Sequence, residues 1–393
     1  MTLIAVGQEA LFRSLFPFPE VAGFNRISYQ MTAQGHPKLR ALLKRGLVYD
    51  RLLVESEPDG YAETHGLNVY GFRGRDFAID PSPGQRRVLL ISDSVTEGMG
   101  APDSATIACQ LERLLARDGD RAEVINLGVI AATLNHTMVL ARDAIPLLRP
   151  TDVVIVLYAN DLPAPPYAPS FDRPGPSFER SKEIWWMPRV VALFLRYARD
   201  EPICIRWLNA PIRFFPPAPD PANPWSRPTQ QPGRLEPALH HAMMAGTLNP
   251  WLKAQSDDLP GQLGHDFAKG GSPVRHLTRI AEVCKSVGSR LMVAYVPFCG
   301  VVSRRYVPSL VELGMDRTTA EALAVDPIYR RQNRVTTGVC TSLELPLADA
   351  TADLVQAEAA GVPQYWTYDT HPRPAGYATI ARRIHRALRG EDQ

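Results

Sequence analysis

Cysteine is scarce in this 393-residue chain and follows no pattern. The five are Cys109, Cys204, Cys284, Cys299 and Cys340. The number is odd and no CxxC pair occurs, which excludes a disulfide framework and a cysteine zinc site and fits free thiols in a reducing compartment. Long hydrophobic runs are missing too. No stretch reaches the roughly 20 apolar residues that a membrane-spanning helix needs, so no integral membrane segment is expected. The opening MTLIAVGQEALFRSLF has no basic n-region and only the short apolar run LIAV. The expectation is therefore no signal peptide and a cytoplasmic protein. Neither sign of charge prevails: 43 Lys+Arg stand against 41 Asp+Glu, a net +2. No basic stripe interleaved with aromatics appears, so nucleic acid is not an expected partner. HExxH, carboxylate–His clusters at ligand spacing, GxxxxGK[ST] and GxGxxG are all absent, so neither a metal nor a nucleotide cofactor is expected.

Proline is abundant, with 36 residues. Many fall in DLPAPPYAPSFDRPGP (161–176) and FFPPAPDPANPWSRPTQQPG (214–233), which excludes regular helix and central strand there. The length suits about two domains, or one domain with large insertions. Residues 163–271 accordingly read as a Pro-rich, partly helical cap insertion. Its segment 185–215 is aliphatic and aromatic, with Arg189, Arg196, Arg199, Arg206 and Arg213 interspersed. That pattern fits a helical cap packed on the core. A lid lining an acyl pocket, or a face for an anionic surface or a partner, are the other readings. His240 and His241 are adjacent and do not share a helical face, so they make no metal site. Residues 1–86 read as an N-terminal arm packed on the main domain, with helix-like apolar spacing at 37–53 and an extended piece at 67–74.

From residue 87 a strand–helix rhythm sets in. VLLIS (88–92), EVINLG (123–128), DVVIVLY (152–158), RLMVAYVP (290–297) and LELPLAD (343–349) have the apolar character of buried strands. Helical patterns fill the gaps. Residues 103–119 place Ile107, Leu111, Leu114 and Leu115 on one face, with Asp103 or Ser104 as cap and Gly119 as stop. Residues 136–148 follow, with Pro146 expected to end or kink the helix. Residues 272–288 open on Ser272 and Pro273. Residues 373–390 turn Tyr377, Ile380, Ala381, Ile384 and Leu388 inward. Such alternation predicts an α/β fold: a flavodoxin-like three-layer α/β/α with a parallel sheet, built from 87–162 and 272–393. Ligands bind such sheets beyond the carboxyl ends of the strands. Those ends deliver Asp93-Ser94, Asn126-Leu127-Gly128 and Asn160-Asp161, and the loop before the last helix delivers Asp369 and His371.

This set resembles the SGNH (GDSL-type) hydrolase superfamily. SDSVTEG (92–98) matches its GDSxTxG block, NLGV (126–129) its glycine block, YANDL (158–162) its asparagine block and DTHP (369–372) its DxxH block. The blocks agree in order and spacing over residues 87–162 and about 272–390. Two departures stand out. Ser92 replaces the usual first glycine, and the acid lies two residues before the histidine instead of three. In an extended segment residues i and i+2 share a side, which lets Asp369 reach His371. Asp349, at the end of the fifth strand, is the alternative acid.

The resemblance implies a serine esterase acting on a small-molecule, lipid or carbohydrate ester without a cofactor. Ser94 would attack a carbonyl carbon, and a serine hydroxyl needs a base to take its proton. His371 would be that base, its ordinary pKa of about 6.5 suiting work near neutrality. Asp369 would orient the imidazole and stabilise its protonated form. The oxyanion donors implied are the N–H groups of Ser94 and Gly128 and the side-chain amide of Asn160. Asp93 and Asp161 read as structural, as do His136 and His385. Two other functions stay open at this point: O-acyl transfer through the same acyl-enzyme, and non-catalytic binding on the same fold. The sequence does not choose an oligomeric state.

Overall fold

The apolar runs following residue 85 lie side by side as parallel strands in a computed structural model of the chain, which describes residues 47–52, 61–66, 68, 70, 72–129, 132–162, 237–239, 259–264 and 272–391. In chain order the elements are β1 (Leu47–Leu52), β2 (Tyr61–Gly66), β3 (Arg86–Ser92), α1 (Ser94–Glu97), α2 (Ile107–Arg117), β4 (Ala122–Gly128), α3 (Leu134–Leu148) and β5 (Asp152–Leu157). Then come α4 (Ser272–Ser286), β6 (Arg290–Tyr295), α5 (Cys299–Val302), α6 (Val307–Glu312), α7 (Arg317–Ala322), α8 (Arg331–Ser342), β7 (Leu347–Asp349), α9 (Thr351–Ala359) and α10 (Pro374–Leu388).

β3 to β7 form one sheet in the order β4-β3-β5-β6-β7, every pair parallel. Counted within the sheet this is 2-1-3-4-5, the flavodoxin-like order, and its switch point lies between β3 and β5. Successive strand residues face opposite sides. Val88, Leu90, Val154, Val156, Met292 and Ala294 face one core with α2, α9 and α10. Leu89, Ile91, Val153, Ile155, Leu291 and Val293 face the other with α3 and α4. The chain is thus a three-layer α/β/α fold, as its alternating pattern predicts.

Several local expectations change. Residues 47–52, read as part of a helix, are a strand paired antiparallel with β2, Leu52 opposite Tyr61. Cross-strand pairing with β2 overrides the helix-like apolar spacing at these six residues. The helix expected from 103 begins at Ile107. Its cap is Thr106, whose Oγ1 accepts from Cys109 N, while 103–105 make a single 3₁₀ turn. Asp103 instead pairs with Arg73 at 2.6 Å. α3 runs two residues past Pro146 and stops at Arg149 in the left-handed region. Pro146 removes one bond in the last turn, which the helix tolerates. The fifth strand shrinks to β7, and α5 to α8 occupy a stretch where the sequence pattern assigns nothing.

Of the expected cap, only 237–239 and 259–264 fall among the described residues. Leu259 and Leu263 are buried in the core on the α2 side of the sheet. The remaining cap residues, His240 and His241 included, lie outside the described residues, as do 1–46 of the arm. Farther along the arm, Phe72 and Phe77 pack into the core on the α3 side. Among the described residues no helix is long and apolar enough to cross a membrane. Cys109, Cys284, Cys299 and Cys340 are free thiols.

Candidate active site

β3 ends at the switch point, and its last turn aims Ser94. Asp93 leaves the strand in extended geometry and caps α1, its carboxylate accepting from Val95 N at 2.9 Å. α1 is one turn long and closes at Gly98, whose φ of +98° suits glycine and whose N–H donates to Ser94 O. Ser94 therefore stands at the first position of the helix, where a backbone N–H has no partner within the helix.

The loop before α10 is held from several sides. Tyr158 OH donates to Thr370 O at 3.0 Å, and Trp366 N to His371 O at 3.2 Å. Arg373 N donates to Gln364 O at 2.8 Å. So held, His371 Nε2 lies 2.8 Å from Ser94 Oγ, and His371 Nδ1 lies 2.6 Å from Asp369 Oδ1. The three are buried, at 4%, 4% and 2% exposure. Asp369 Oδ1 also accepts from His371 N at 3.1 Å, the i to i+2 reach expected of the shortened spacing. Burial alone would raise the Asp369 carboxyl. The charge of His371 and hydrogen bonds from His371 and Tyr61 outweigh it and hold the group below its ordinary value.

Asp349 is engaged elsewhere. Its Oδ1 accepts from Thr351 N and Oγ1 at 2.9 and 2.6 Å, and its Oδ2 from Asn333 Nδ2 at 2.6 Å. Asp161 sits at the end of β5 and accepts from Tyr158 N at 2.7 Å and from Ser92 Oγ at 3.2 Å. Ser92 thus ties the end of β3 to the loop that follows β5. Burial drives both Asp93 and Asp161 up, Asp93 to about 6. His136 and His385 have local partners: His136 Nδ1 accepts from Thr133 N, and His385 pairs with Asp118. Among the described residues no cluster of His, Cys, Asp and Glu could hold a metal ion.

The expected oxyanion donors divide. Asn160 follows β5 beside the anchored Asp161, and its Oδ1 is buried with no hydrogen-bond partner among the described residues. The amide O and N are interchangeable by a flip, so either can face that buried position. Gly128 is engaged within its own strand. Its N–H already donates to Asn126 Oδ1 at 2.9 Å. A Cβ there would meet Glu97 N at 2.1 Å and Thr96 C at 2.6 Å. The glycine lets the backbone of α1 lie directly against β4.

Two groups near the site escaped the sequence pattern because both come from β2. Tyr61 OH donates to Asp369 Oδ2 at 2.6 Å. His65 Nδ1 lies 2.6 Å from Glu97 Oε1, and both side chains are buried. Glu97 falls inside the SDSVTEG block, but its burial, and so its need of a partner, shows only in the structure.

No protein-family model and no curated protein matches the sequence. Solved structures similar to the chain include TesA, at 12% identity and a TM-score of 0.38 over 78% of this chain and 99% of that one. A lipase/acylhydrolase from Enterococcus faecalis is similar at 14% identity and a TM-score of 0.35, over 78% of this chain and 96% of that one. A catalytic mutant of Axe2, an acetylxylan esterase from Geobacillus stearothermophilus, is similar at 13% identity and a TM-score of 0.36, over 77% and 94% of the two chains.

Proposed function

We propose that the chain is a serine esterase of the SGNH type that hydrolyses a carboxylic ester through an acyl-enzyme on Ser94. The reading is carried by one observation: the buried, continuous series Ser94 Oγ, His371 and Asp369, with contacts of 2.8 and 2.6 Å. Ser94 Oγ attacks the ester carbonyl while His371 Nε2 takes its proton. The imidazolium gives that proton to the departing alkoxide, and the alcohol leaves. A water then attacks the acyl-enzyme by the same route, returning the proton to Ser94 Oγ and releasing the acid. Asp369 keeps the other imidazole proton on Nδ1 and stabilises the positive ring. For the oxyanion we assign the Ser94 N–H and the Asn160 amide, and give Gly128 the packing role. The catalytic domain is assigned to 87–162 with 272–393, and the insertion at 163–271 is its cap.

The test is a series of p-nitrophenyl esters of increasing acyl length, with a fluorophosphonate probe. Wild type should turn over the esters and be labelled. Ser94→Ala should lose labelling and at least about 10³-fold in kcat. A Ser94→Ala protein that still hydrolyses the esters like wild type rejects the nucleophile. Added acceptor alcohols report acyl transfer: an ester of the acceptor as main product would turn the reading from hydrolase to transferase.

A further inference from the structure

We infer that Tyr61 is a positioning residue for Asp369, so that the Ser94–His371–Asp369 series is completed by a strand from outside the parallel sheet. The inference rests on the reading of that series as nucleophile, base and acid. Asp369 is buried, and its two oxygens face different partners. Oδ1 meets the imidazole Nδ1 and the His371 N–H. Oδ2 accepts the Tyr61 hydroxyl at 2.6 Å. A carboxylate held at one oxygen alone can turn about its last torsion, which is broad. One held at both keeps Oδ1 on the imidazole. The phenol also supplies a hydrogen bond to a charge that burial would otherwise penalise.

The surroundings of Tyr61 are shaped to the same end. Its ring packs on Trp366 with centroids 5.0 Å apart. Trp366 Nε1 donates to Gly100 O at 3.0 Å, and Trp366 N to the carbonyl of His371 itself. Gly100 makes room for the pair: a Cβ there would meet Trp366 Nε1 at 2.8 Å and Tyr61 Cε1 at 3.1 Å, and its φ is +78°. Four residues along β2, on the same face of the strand, His65 holds Glu97, the last residue of the helix that Ser94 begins. One strand face thus touches the acid and the nucleophile's helix together.

The experiment compares wild type, Tyr61→Phe and Ser94→Ala as full-length chains, together with wild type carrying 3-fluorotyrosine at position 61. p-Nitrophenyl acetate is the probe, read across pH. Tyr61→Phe keeps the ring against Trp366 and removes only the hydroxyl. It should lower kcat about tenfold with little change in KM, the worth of one hydrogen bond to a charged group. The acid limb of kcat/KM should move to higher pH, because a carboxylate relieved of the phenol presents more charge to the imidazole. Fluorotyrosine is a stronger donor of the same shape and should move that limb to lower pH. Wild-type kcat and profile in folded Tyr61→Phe overturn the inference. So does a loss that only tracks the fraction of folded protein. If Tyr61→Phe does not fold, the fluorotyrosine profile decides, and coincidence with wild type overturns the inference. Ester turnover that survives Ser94→Ala overturns both this inference and the reading beneath it. Turnover lost in Ser94→Ala but untouched in Tyr61→Phe overturns this inference alone.

Discussion

Two aspartates compete on paper for the histidine, and the structure separates them by what their oxygens already hold. Asp349 gives both oxygens to Thr351 and Asn333. Asp369 gives Oδ1 to His371 and Oδ2 to Tyr61. Asp369→Asn would place an amide where a carboxylate now accepts the Nδ1 proton. The wrong imidazole tautomer would follow, and kcat should fall about 10³–10⁴-fold with little change in unfolding temperature. Asp349→Asn should do the reverse: a lower unfolding temperature, and kcat within about twofold once folding is corrected for, since it leaves the reacting groups in place. Paired rate and melting measurements on the two variants check both statements, and an exchange of outcomes would move the acid to Asp349. Asp369 was singled out through the likeness of DTHP to the DxxH block, and the same-side placement of residues two apart in an extended segment fits its contact with His371. Tyr61 was not, because its partner lies 308 residues away and no local pattern carries that contact.

The seat of α1 on β4 is the contact that holds Ser94, the first residue of α1, in place. Asn126 Nδ2 donates to Glu97 O at 3.2 Å, while Asn126 Oδ1 accepts from Gly128 N. Gly128 leaves the space into which the Thr96–Glu97 backbone fits. Gly128→Ala would push its methyl into that backbone, and backbone cannot rotate away as a side chain can. The expected cost is about 2–3 kcal/mol of stability, together with a fall in ester turnover as α1 and Ser94 shift. Thermal unfolding and ester kinetics of the variant test it. Wild-type values in both would mean that α1 does not rest on this glycine. The strands of the sheet were readable as continuous apolar runs, since a parallel sheet is buried on both faces. Gly128 was readable as a special position, but the Thr96–Glu97 backbone lying against it was not, because that contact comes from the turn after a different strand. The β1–β2 hairpin and the helices α5 to α8 were missed for a related reason. β1, β2 and α5 to α7 are short, and tertiary partners decide their structure; α8 is longer, but its sequence RQNRVTTGVCTS has few apolar residues to mark a helical face.

At the scale of the molecule, several buried groups among the described residues refuse their usual charge and bear on acid stability. His136 on α3 and His276 on α4 are both pushed down to about 4 by burial, with Arg275 adding to the effect at His276. An unfolded chain binds protons on both near the ordinary histidine value of about 6.5. Between those limits the unfolded state holds more protons, so each histidine removes stability as pH falls. Asp93 and Asp161 act in the opposite sense. Burial raises both, so the folded state keeps their protons where the unfolded state has lost them, and they add stability as pH falls through the same window. The two sets of groups therefore act in opposite senses as pH falls toward 4. A single substitution uncovers the balance. His136 sits three residues after Thr133, and its Nδ1 accepts from Thr133 N, the place that Glu or Gln takes in a capping box. His136→Gln keeps that acceptor and removes the titration. As pH falls from 6.5 toward 4 the variant should gain on wild type by up to roughly 3 kcal/mol, one pKa unit being worth about 1.4 kcal/mol. Denaturant unfolding of the pair at several pH values measures the difference. Parallel curves across the window would mean that His136 takes up its proton in the folded chain as readily as in the unfolded one, and that the cap survives without the neutral ring.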